Sequence, residues 1–174
     1  MNKGFSMIEV LVTIVILTTG LLGLAGLQGR ASTAQMESYQ RSQALILLED
    51  MADRINANRS NAAAYVGALG SGAACPAAGS SVASNDLNQW CNALQGVAEA
   101  QSGVGNAGAM IGARGCITQT IAPVSGVASQ YLVAVAWQGL NSTAAPSIVC
   151  GQNQYGNEAL RRVVALPVDI ADLN

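Results

Sequence analysis

The sequence predicts an α+β fold. One long N-terminal helix, membrane-spanning in its first half, packs on a small antiparallel β-sheet, with disulfides in the part that carries the sheet. Three observations carry this reading. No proline occurs before Pro76, so residues 5–58 can run as one unbroken helix. Three runs rich in β-branched and aromatic residues come late in the chain, from Cys116 onward. All four cysteines, Cys75, Cys91, Cys116 and Cys150, lie downstream of the apolar segment.

The helix opens on a leader, Met1–Gly4, whose one charge is Lys3. Phe5 follows, and then a single carboxylate, Glu9, heads an apolar run from Val10 to Leu27. Residues 5–27 span roughly 35 Å as helix, enough to cross a bilayer. A carboxylate at the head of such a span costs about 2.5–3.5 kcal/mol on insertion scales, so it marks function. A secretory signal peptide places its small-residue cleavage site after the apolar run; here Gly4 precedes it. A plain anchor explains the apolar run and Lys3 but not Glu9. Gly20, Gly23 and Gly26 let neighbouring helices approach closely, at up to about 1 kcal/mol of helix stability each. From Leu24 a 3-4 spacing continues through Leu27, Ala31, Ala34, Ser38, Arg41, Leu45, Leu48, Ala52 and Ile55, which predicts one face of a helix. Ser38 and Arg41 on that face argue against a coiled-coil seam.

Asn56–Gly72 reads as loop with one helical turn within Asn61–Leu69. Ser84-Asn85-Asp86 reads as a helix start, with Leu87, Trp90, Cys91, Leu94, Val97 and Ala98 at helical spacing out to Gln101. Gln101–Gly115 reads as a Gly-rich loop. Strands are predicted at Cys116–Ala122, Gln130–Gln138 and Leu160–Ile170, with a turn at Pro123–Gly126 and a long connection over Asn141–Asn157. Trp90 and Trp137 sit in apolar periodicity and are predicted to be core. Four cysteines allow three pairings. Cys91 falls on the apolar face of its helix a short loop after Cys75, and Cys116 starts a strand while Cys150 lies in the connection leading to another. The expected bridges are therefore Cys75–Cys91 and Cys116–Cys150.

Composition narrows the function. The chain has 174 residues and only 10% of them are charged, against about 25% in average soluble domains. Net charge is −2; losing the leader would leave seven Arg against ten acids, or −3. No basic footprint for nucleic acid is present. The chain has no histidine, which excludes His-based triads, His general bases and His-ligated metals. No C-x-x-C pair occurs, so no metal or cofactor is predicted. Glu49, Asp50 and Asp53 adjoin Arg54 and read as a solvated face, and no nucleophile has a visible base; an enzyme is not predicted. Two disulfides need an oxidising compartment, and Lys3 on the short side favours a cytoplasmic N-terminus. The C-terminal part is thus expected in the periplasm.

The pattern Gly4-Phe5-Ser6-Met7-Ile8-Glu9-Val10-Leu11-Val12 resembles the N-terminus of type IV prepilins and the related pseudopilins. The resemblance implies a pilin-like fold, cleavage by a prepilin peptidase between Gly4 and Phe5, and N-methylation of Phe5. It also implies an assembly charge pair between Glu9 and the new amine of Phe5. The order of elements is that of pilins, whose helix is thought to loosen around the glycine region in filaments. Gly20–Gln28, Gln43-Ala44, Ala52–Asn58, Val135–Gly139 and Arg161–Val164 look like minor pilins of the PilV type. The organisation this implies is a leader at 1–4, an assembly helix at 5–27, its amphipathic continuation at 28–58 and a globular pilin domain at 59–174. The implied function is a minor pilin in a priming or tip complex of the type IV pilus, with the major pilin and other minor pilins as partners. The chain would sit first in the inner membrane and then in the extracellular pilus. A type II secretion minor pseudopilin and a pilus-displayed adhesin are the alternatives.

Overall fold

The computed structural model describes residues 4, 6–72, 74–97, 100–101, 105–106 and 110–171. The chain divides into two compact units, residues 1–38 and 39–174. Helix α1, Met7–Ala57, supplies the regular structure of the first and the first element of the second. It opens where the Ser6 carbonyl accepts from the backbone N–H groups of Glu9 (3.0 Å) and Val10 (3.3 Å). It ends in the polar run Asn56-Ala57-Asn58, with Arg54 in its last turn, where a cation suits the helix dipole.

In the globular unit the buried stripe of α1 is Gln40, Ala44, Leu48, Met51, Ala52 and Ile55. Arg41 is exposed, as its place in the small and polar middle of the helix implies, and the expected face is corrected at Leu45, which is exposed as well. Burying the Arg41 charge without a partner would be costly. Turning the stripe back by one residue admits Gln40 and the small Ala44 instead.

After α1 a 3-10 helix, Arg59–Tyr65, leads into strand β1, Gly67–Gly70. The sequence reading had only a helical turn here. Gly-Ala-Leu-Gly has no strand pattern of its own and becomes a strand by pairing with Arg114–Ile117. Helix α2 spans Val82–Leu94 and starts earlier than Ser84 because Ser81 caps it, its Oγ accepting from the Ser84 N–H at 3.1 Å. It stops well short of Gln101, since Gly96 takes φ +66 just past its end; Ala98 lies outside the described residues. The short strands β2, Ala100–Gln101, and β3, Gly105–Asn106, pair within the expected Gly-rich loop.

Strand β4, Ile111–Ile121, begins five residues before the expected Cys116. Glycines hid its start: Gly112, at φ +62, falls in the first of two register shifts. Strands β5, Ser129–Gln138, and β6, Arg161–Ile170, lie within a residue of expectation. The sheet is antiparallel in the order β1-β4-β5-β6.

Each strand face meets a different cover. Ile117, Tyr131, Val133, Val135, Trp137 and Val168 form the main core with α1, Trp90 and Leu94. Alternate residues Ala134 and Ala136 face the other way and pack with Cys150, Tyr155, Val163 and Ala165. Strand β5 is therefore nearly continuously buried along its second half.

Candidate functional site

Residues 7–57 include a window of mean hydropathy 2.4, apolar enough to cross a membrane. Every residue from 7 to 32 is exposed. Within this apolar stretch the hydroxyls satisfy themselves. Thr13 donates to the Val10 carbonyl (2.8 Å), Thr18 to Val15 (3.0 Å) and Thr19 to Val15 and Ile16 (both 3.0 Å). Glu9 stands in the first turn and its carboxylate has no such bond among the described residues. An ionised group there must keep water or find a cation before it enters an apolar environment. Gly4 is exposed and outside regular structure, while Phe5 lies outside the described residues.

The cysteines pair as Cys75–Cys91 and Cys116–Cys150, with Cα separations of 5.5 and 5.8 Å. The first ties the loop before α2 to that helix. The second ties β4 to the Asn141–Asn157 connection, across the outer face of the sheet.

Two clusters went unseen in the sequence. Arg54, read as part of a solvated face, bridges α1 and α2. Its Nε donates to Asp50 one turn back (3.0 Å), and its Nη1 donates to Asp86 (2.8 Å) and Gln89 (2.9 Å) on α2. Tyr65 donates to the other oxygen of Asp86 at 2.5 Å and accepts from Asn58 at 3.1 Å. Burial, and then the bond to Asp86, pushes the Tyr65 hydroxyl up to about 12. Trp90 adds a bond from Nε1 to the Leu47 carbonyl (2.8 Å), so α1, the 3-10 helix and α2 are locked together.

The second cluster surrounds Arg161, which is 1% exposed. Its guanidinium donates to the carbonyls of Cys150 (3.1 Å), Pro146 (2.9 Å) and Ile148, and to the Glu158 carboxylate (2.7 Å). Glu158 also accepts the Asn153 N–H at 2.7 Å. That bond, together with Arg161, holds its carboxyl below the usual carboxylate range. Arg162 donates to Thr143 Oγ1 (2.7 Å), to the Ala159 carbonyl (3.1 Å) and to the Asn141 carbonyl. The adjacent arginines fasten the whole connection that carries Cys150. A loop without regular structure has carbonyls to satisfy, and an Arg-Arg pair at the start of the next strand was the available signal.

Among the described residues no group of His, Cys, Asp and Glu is arranged to hold a metal. Residues 1–25 match the family model of the prokaryotic N-terminal methylation motif. Residues 26–99 match the Tt1218-like model, described as type IV pilin Tt1218. No curated protein and no solved structure matches the chain. The two matched segments adjoin and cover helix α1 with Glu9, the Arg54 cluster and the first disulfide. With its long apolar helix, four-stranded antiparallel sheet and two disulfides, the chain has a pilin-like α+β fold, and its first 99 residues match the N-terminal methylation motif and a type IV pilin family whose members are structural subunits rather than enzymes.

Proposed function

We propose that the chain is a minor pilin that takes part in type IV pilus assembly, in the priming or tip complex. The observation that carries this is the set of PilV-like segments, Ala52–Asn58, Val135–Gly139 and Arg161–Val164. They fall on the end of α1, the central strand β5 and the start of β6. The N-terminal methylation motif supports processing by a prepilin peptidase and assembly with other pilins. Cleavage falls between Gly4 and Phe5, and Phe5 is methylated. The chain waits in the inner membrane with residues 59–174 in the periplasm, where the four cysteines oxidise, and then enters the extracellular pilus.

Glu9 drives that last step. Its carboxylate forms no ion pair among the described residues. In a bundle of such helices it meets the amine of a neighbouring Phe5. Opposite charges attract far more strongly in a low-dielectric bundle than in water, and an unpaired buried charge is strongly destabilising. The test is co-purification: the protein should be recovered in sheared filaments together with other minor pilins, in low copy against the major pilin. Recovery only with type II secretion components would make it a minor pseudopilin. Recovery at major-pilin abundance would also end the minor-pilin reading.

A further inference from the structure

The outer face of the sheet is only half covered. The connection carrying Cys150 and Tyr155 packs on Ala134, Ala136, Val163 and Ala165. Beside it the β1–β4 half of the same face stays open, as a groove of about 740 Å³. Register makes Ala68, Cys116 and Ala134 one row of its floor, and Thr118 and Leu132 the next. These are small or apolar side chains. The wall is formed by the connection, including Val149, which is 70% exposed.

At one end of the groove stands Arg114, the only charged residue among the described residues that line it. The other two arginines of the sheet, Arg161 and Arg162, are bonded as described above. Arg114 is half-buried, and its Nε is buried with no hydrogen-bond partner among the described residues. Its Nη2 lies beside Gly72, 3.1 Å from where a Cβ there would stand. The Arg114 side chain puts a permanent positive charge at the end of an otherwise uncharged groove, where a charge-assisted bond is the strong one. The apolar floor calls for apolar cover, and Arg prefers a carboxylate as its planar acceptor.

We propose that this groove docks an extended, mainly apolar peptide segment of a partner protein through a Glu or Asp side chain bonded to Arg114. From Arg114 to Thr118 the floor is four residues of strand, about 13 Å. That admits a segment of about five residues lying along β4, its carboxylate at one end. The Cys116–Cys150 bridge holds wall to floor, so the groove is preformed. Its place is independent of Glu9 and of filament entry.

The test uses the full chain in detergent micelles and two degenerate hexapeptide pools, acetylated and amidated. Five positions are mixed Ala, Val, Leu and Ile; the terminal position is Glu in one pool and Gln in the other. The Glu pool should bind at least about tenfold more tightly than the Gln pool. That preference should vanish in Arg114→Gln, whose near-ultraviolet dichroism from Trp90 and Trp137 should be unchanged. Ala68→Trp, at an exposed floor position, should block both pools. Equal binding of the two pools, binding of neither, or binding indifferent to Ala68→Trp overturns the proposal. So does Arg114-dependent binding of octanoate without binding of the Glu pool, which would make this a small-amphiphile site.

Discussion

Replacing Arg161 by Met removes the guanidinium but keeps the volume, so the loss reports the bonds. Three carbonyls and one carboxylate depend on that group. Glu158 faces water and rehydrates. Pro146 and Ile148 are partly exposed, so their carbonyls regain water as well. The Cys150 carbonyl does not, because Cys150 is 3% exposed and packed on Ala134 and Ala136. Its charge-assisted bond is worth about 1.5–3 kcal/mol, and orphaning the group sets the lower end of the loss at about 1 kcal/mol. Loosening of the connection adds to this, so the expected destabilisation is about 2–4 kcal/mol. The Cys116–Cys150 bridge, with a sequence separation of 34, contributes about 4 kcal/mol by loop closure. Because Arg161 and the bridge fasten the same segment, their losses should not add. Urea unfolding of the mature chain in micelles, followed by tryptophan fluorescence, measures both. Combining Arg161→Met with Cys116→Ser and Cys150→Ser should cost at least about 1 kcal/mol less than the sum. A loss below about 1 kcal/mol for Arg161→Met, or strict additivity, would show that Arg161 does not hold the Cys150 segment.

Three further outcomes follow from the packing and the charges. Gly115→Ala puts a Cβ 2.2 Å from the buried Trp90 ring, so overpacking should cost about 2–3 kcal/mol in the same unfolding assay, and a neutral result would mean the ring is free to shift. Burial first, and for Tyr65 also Asp86, raises the hydroxyls of Tyr65 and Tyr155 to about 12. Their stabilising contribution is therefore full below the ordinary value of 10 and is lost as pH rises from 10 towards 12. Spectroscopic titration should find these hydroxyls ionising late, and Tyr65→Phe should flatten that alkaline loss of stability; early ionisation of both would contradict the packing. Glu9→Ala, and less severely Glu9→Gln, should leave cleavage, export and oxidation intact while filament incorporation falls; normal incorporation of cleaved Glu9→Ala would refute the charge pair.

Much of the architecture was legible because it rests on local, repetitive signals. The proline-free N-terminal third reads as a helix, and its first half is apolar enough to cross a membrane. Val133–Trp137 and Val163–Leu166 read as strands because their β-branched and apolar residues are consecutive. Glu9 was legible as the candidate assembly residue because a lone carboxylate in an apolar run is anomalous wherever it falls.

What the linear pattern did not carry was anything set by a distant partner. Gly67–Gly70 is a strand only because β4 offers it an edge, and β4 starts at Ile111 only because a glycine bulge and the space above Gly115 let Trp90 lie on it. The buried stripe of α1 was misread at Leu45 because two stripes one residue apart look alike until the sheet accepts one of them. Arg54 and Arg161 looked like surface charge, since a side chain's hydrogen-bond partners tens of residues away leave no trace in spacing. The sequence by itself thus determined the helix, the three long strands and the acid at the membrane head, each a property of adjacent residues. The tertiary structure alone decided the edge strand, the exact buried face, the arginine anchors and the open groove beside Arg114, because each exists only when separate segments meet.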